Sequence, residues 1–95
     1  MDAQSGKNTS GKGTKRRIDV EGLELLGQRI RDVRKQKNMS QEDLADVSGL
    51  ALSQIGRMER GNINATLSSV FSICRAMEID VAELFYFKLD KQNSK

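Results

Sequence analysis

From about residue 21 onward, apolar residues recur at helical spacing. Leu23, Leu26, Ile30 and Val33 fall at i, i+3, i+7 and i+10, one stripe of a first helix running from about Glu21 to Gln36. A second helix opens at Ser40, with Asp43 three residues on in a capping-box-like start, and it carries Leu44, Ala45 and Val47 before ending ahead of Gly49. A third spans about Leu52 to Arg60. With Ile55 set inward at 100° per residue, Met58 also points inward and Glu59 lies at the inner edge, while Ser53, Arg57 and Arg60 point away. Gly61 then closes it. Thr66 reads as the N-cap of a fourth helix with Leu67, Val70, Phe71, Cys74 and Met77 on one stripe. Asp80, followed by Glu83, caps a short fifth helix through Leu84 and Phe85. No alternating strand pattern competes with these stripes, so the expected fold class is all-α.

The second and third helices are each only about two turns long, and isolated helices below ~12 residues are marginal in water. Such a pair at a tight glycine corner persists only if other helices bury its inner faces. Two short helices joined by a turn of a few residues make a helix-turn-helix, and the outer face of the second can enter a major groove wide enough for one helix.

Size and composition narrow the picture further. At 95 residues the chain is one small domain, and 37% apolar with 31% charged residues suits a soluble globular protein. No apolar run approaches a membrane span and no signal-peptide segment follows the basic N-terminus, so a cytoplasmic location without membrane contact is expected. Cys74 is the only cysteine and is expected as a small buried hydrophobe; an intramolecular disulfide and a cysteine-type zinc site are excluded. Histidine is absent, which removes the usual general base and the commonest metal ligand. No phosphate-cradling glycine loop occurs, and no enzyme site can be assembled. No cofactor, metal or small-molecule ligand is expected.

The net charge of +3 is unevenly placed. Lys7, Lys12, Lys15, Arg16 and Arg17 stand against Asp2 alone, which leaves the rest of the chain close to neutral. Within that rest, Arg29 to Lys37 is basic, while Glu78, Asp80 and Glu83 cluster at the other end, a separation able to orient a protein on a polyanion. The expected organisation is a disordered basic tail over 1–20, a DNA-binding domain over 21–89 and a short tail over 90–95. The basic tail reads either as a solvated segment or as an arm along the DNA.

The stretch LGQRIRDVRKQKNMSQEDLADVSGLALSQIGRMERG, continued by TLSSVFSICRAMEIDVAELF, resembles the Cro/phage-repressor family of helix-turn-helix domains, the XRE-type regulators. The resemblance covers about residues 23 to 85 and rests on joint order: an Arg in the first helix, S-Q-E-x-L-A, the turn glycine, then I-x-x-M-E-x-G. It implies a five-helix lambda-repressor-like domain. It also implies an internal ion pair between Arg34 and Glu59, base reading by Leu52, Ser53, Gln54 and Arg57, and phosphate contacts from Gln41, Arg60, Asn62, Asn64 and Thr66. Among the roles it implies, Arg57 pairs with guanine, Gln54 with adenine and Leu52 with a thymine methyl.

The chain departs from the family's pattern at Ala51, where Ser or Thr often caps the recognition helix, at Gly56 in mid-helix, and at Ala65, where many members carry proline. Its end, LFYFKL, is more apolar than a surface tail should be. The family's short members commonly pair through this region, so Leu84, Phe85, Tyr86, Phe87 and Leu89 are the expected interface of a homodimer. The functional expectation is a sequence-specific transcriptional regulator reading a palindromic operator on double-stranded DNA. Among family members, the stand-alone controller proteins of restriction–modification systems are most similar. An antitoxin and a protein-interaction adaptor on the same fold are the alternatives.

Overall fold

The computed structural model describes residues 17–91, and both the basic segment 1–16, read above as a solvated tail or a DNA arm, and residues 92–95 of the expected C-terminal tail lie outside the described residues. Five helices follow in order: α1 (Val20–Gln36), α2 (Gln41–Ser48), α3 (Leu52–Glu59), α4 (Leu67–Met77) and α5 (Val81–Leu84). No strand occurs among the described residues. No helix there is long and apolar enough to cross a membrane.

Local chemistry sets the ends. Asp19 caps α1 by accepting from the Gly22 N–H at 2.8 Å, so the helix begins slightly ahead of the boundary its apolar stripe suggested. Ser40 and Asp43 form the full reciprocal capping box of α2: the Asp43 N–H donates to Ser40 Oγ, and the Ser40 N–H to the Asp43 carboxylate. Gly49 ends α2 in the left-handed region at φ +77°, a conformation that side-chain-bearing residues adopt only at a cost, and its N–H donates to the Ala45 carbonyl. Thr66 caps α4, accepting from the Ser69 N–H. Asp80 behaves differently from its sequence reading, since its side chain makes no capping bond. α5 is a single turn that stops at Leu84 and leaves Phe85 beyond its end.

The core gathers Leu26, Ile30 and Val33 of α1, Leu44 of α2, Ile55 and Met58 of α3, Val70, Ile73, Cys74 and Met77 of α4, and Leu84 of α5. Burying one such aliphatic side chain stabilises by roughly 1.5–3 kcal/mol. That supplies what α2 and α3, eight residues each, lack on their own. Burial also pushes the Cys74 thiol up from its usual range.

Three apolar residues placed on inner stripes face outward instead: Val47, Leu67 and Phe71. In α4 the buried set centres between Ile73 and Cys74, and at 100° per residue Phe71 lies about 110° from that centre. Ile73 fills the inward quadrant in its place.

α1 packs against α3, α4 and α5, and α2 against α3 and α4. The α1–α3 approach is closest at Gly27. A Cβ there would sit 2.3 Å from the Met58 carbonyl oxygen and 2.6 Å from that of Glu59. Glycine is what lets the first helix lie directly on the end of the third.

Candidate nucleic-acid interface

The site begins with what holds α3. Glu59, at the end of that helix, is 7% exposed, as is Arg34 of α1. The guanidinium grips the carboxylate with two bonds, Nε to Oε2 at 2.6 Å and Nη2 to Oε1 at 3.0 Å, while Nη1 donates to the Met39 carbonyl at 2.9 Å. The bond to Glu59 raises the Arg34 pKa above its already high usual value. Gln41, at the first position of α2, donates from Nε2 to Glu59 Oε1 at 3.0 Å. One buried carboxylate thus joins α1, α2 and α3, and it fixes the side chain expected to meet a phosphate.

With Ile55, Met58 and Glu59 buried, the opposite side of α3 is outward by geometry. Ser53, Arg57 and Arg60 are exposed, and Leu52, 44% exposed, lies at the rim rather than in the core. The Arg57 side chain makes no hydrogen bond or ion pair with any described residue, so its planar donor fork is available. Ala51 provides no side-chain cap, leaving the first N–H groups of α3 without that partner.

Gln54 is more constrained than its sequence position suggested. It is partly buried, and its Nε2 donates to Ser69 Oγ of α4 at 3.1 Å. Ser69 also accepts from the Thr66 hydroxyl at 3.1 Å. One N–H of Gln54 is therefore committed to the fold, and Ser69, which the sequence reading passed over, sets the amide's orientation. Its only signal was its place three residues after a capping threonine.

Asn62 and Asn64 are exposed on the α3–α4 loop, where the Asn62 N–H donates to the Arg57 carbonyl at 2.8 Å. The basic stretch 29–37 divides between inside and outside. Arg34 is buried, and Arg29 donates from Nη2 to the Glu83 carbonyl at 2.7 Å, satisfying the α5 region from α1. Arg31, Lys35 and Lys37 remain exposed.

The apolar end of the chain also divides. Leu84 is fully buried in its own subunit's core, so it drops out of the exposed interface set. The reason is that the single turn of α5 points it inward to close the core beneath α1 and α4. Phe87 is half-buried against that core, with its ring 6.0 Å from that of Phe85. Phe85, Tyr86 and Leu89 are exposed, Tyr86 by 80%. The Asp90 N–H donates to the Glu21 carboxylate, so the residue expected to open the C-terminal tail is still fastened to α1.

A five-helix fold that locks a short helix by its inner face and leaves two arginines free on the outer one defines a DNA-binding regulator of transcription. The chain belongs to the helix-turn-helix family HTH_3, whose model matches residues 30–84. It is 39% identical over 61 residues to the control protein C.SmaI of Serratia marcescens, spanning 64% of this chain and 73% of that one. It is 38% identical over 64 residues to the control protein C.BamHI of Bacillus amyloliquefaciens, spanning 66% and 79%. Among solved structures, the restriction–modification controller protein C.AhdI from Aeromonas hydrophila superposes with a TM-score of 0.65 at 43% identity, over 66% of this chain and 96% of that one. These relatives bear the names of control proteins, not of enzymes.

Proposed function

We propose that this protein is a controller-type regulator in the cytoplasm, without catalytic activity, that reads a palindromic operator as a homodimer. The observation that carries the reading is the freedom of the Arg57 side chain: exposed and without a bonding partner among the described residues, on a helix whose opposite face is pinned by a buried ion pair. Arg57 reads guanine through a bidentate contact, Leu52 and Ser53 line the same face, and Gln54 joins them from its anchor on Ser69. Gln41, Arg60, Asn62, Asn64 and Thr66 contact phosphates and set the register without specifying sequence. Phe85, Tyr86 and Leu89 supply the exposed part of the dimer face, with Phe87 behind them. Similarity to control proteins supports a target within a restriction–modification system's own genes.

In vitro selection on random duplex DNA at near-physiological salt tests this reading. An enriched palindrome with half-sites about one helical turn (~34 Å) apart is expected. A single unpaired half-site would remove the dimer. No enrichment, with only salt-sensitive binding, would remove sequence reading.

A further inference from the structure

α3 carries a glycine at its centre, a residue among the weakest helix formers. Gly56 lies on the flank of the helix between the buried Glu59 and the outward Arg60, and it is itself buried. The three atoms nearest to the place a Cβ would occupy all belong to one group: Nη1 of Arg60 at 3.3 Å, Nη2 at 3.9 Å and Cζ at 4.0 Å. Arg60 follows Gly56 by four residues, just over one turn, and helical side chains lean toward the N-terminus. Its guanidinium therefore lies back along α3 and roofs the glycine. It makes no hydrogen bond or ion pair with any described residue, so the donors it holds there are unspent.

We propose that Gly56 is a positioning residue for Arg60: the missing Cβ lets the guanidinium lie flat against α3, level with Arg57, where it meets a DNA phosphate. The inference rests on reading the outer face of α3 as the DNA-contacting surface. It accounts for a glycine in the one helix where helix-forming strength should matter most. With alanine at 56, the contact at 3.3 Å is too tight, and the group that yields is the far end of a flexible side chain rather than the backbone. The helix gains, while the guanidinium is displaced by a few tenths of an ångström from its seat against α3.

Stability and DNA binding should therefore move in opposite directions, which a merely structural glycine would not produce. Thermal unfolding and DNA affinity across a salt series are measured for Gly56→Ala, Arg60→Ala and the double variant, using the DNA enriched by selection. Gly56→Ala is expected to melt higher than wild type yet bind more weakly, with a salt slope shallower by up to about 0.9, the share of one phosphate contact. In the Arg60→Ala background, the glycine substitution should leave binding unchanged. Wild-type affinity in Gly56→Ala, a loss that persists without Arg60, or a lower melting temperature would each overturn the proposal. An unaltered salt slope in Arg60→Ala would instead remove the phosphate role of Arg60, and the positioning role with it.

Discussion

Arg34 and Glu59 form the ion pair on which the surface of α3 depends, and its worth differs from what its bonds suggest. Taking both charges out of water offsets much of their attraction, so the intact pair adds little net stability. Removing one partner is another matter, because the other stays buried and charged. Arg34→Ala is expected to lower unfolding stability by ~3–5 kcal/mol in urea denaturation. Gln41 has one amide N–H on Glu59, leaving the carboxylate poorly compensated once the guanidinium is gone. The pair was legible because Arg34 and Glu59 stand at fixed places in the motif. The engagement of Gln54 by Ser69 was not, since it joins α3 to α4 across a loop and leaves no trace in the spacing of either helix. Arg29 was misleading for a related reason: within a run of basic residues, nothing local distinguishes the arginine that caps α5 from those that face solvent.

Among the helices, α2 and α3 are too short to stand alone, so their ends carry unusual weight. The bonds from Ser40 hold the Asp43 carboxyl below its usual pKa of 3.8. A carboxylate with a depressed folded pKa contributes stability that is complete above its unfolded value and is lost as pH falls through the folded one. The stability difference between wild type and Asp43→Asn should accordingly hold constant from neutrality down to about pH 5 and shrink below pH 4, measured by denaturation across that range. The close approach of α1 to α3 makes a sharper test. Gly27→Ala improves intrinsic helix propensity yet places a methyl against two carbonyl oxygens. It should lower stability by about 1–3 kcal/mol or more, with a matching fall in melting temperature. Caps were readable because they are local: Ser40, Thr66 and the turn glycine announced themselves. Asp80 resembles those caps in sequence, but α5 is one turn long and its carboxylate makes no bond. Val47, Leu67 and Phe71 show the limit of stripes, since a stripe defines a direction and only the packed neighbours decide which edge of it is covered.

At the scale of the whole molecule, the last apolar residues do two jobs that their sequence run does not separate. Leu84 completes the core, whereas Tyr86, two residues on, is left in solvent. Leu84→Ala should cost about 2–5 kcal/mol of stability. Tyr86→Glu should leave the melting behaviour of the subunit largely intact while shifting sedimentation at micromolar concentration from dimer toward monomer. A monomeric wild type, or a Tyr86→Glu variant that sediments unchanged, would remove this face from the assembly. The division arises because burial is decided by where α5 points, and four consecutive apolar letters contain no record of it.

On the proposed function, α3 is held rigid from within so that its outer face, Arg57 above all, distinguishes one DNA sequence from another. The most direct test is the ratio of affinities for the selected operator and a scrambled duplex at one fixed salt concentration, for wild type and Arg57→Ala. A lost bidentate contact is worth ~1–3 kcal/mol per half-site, so the ratio should collapse by roughly tenfold or more while affinity for scrambled DNA changes little. An unchanged ratio would mean that Arg57 reads nothing and that the specificity of this protein resides elsewhere.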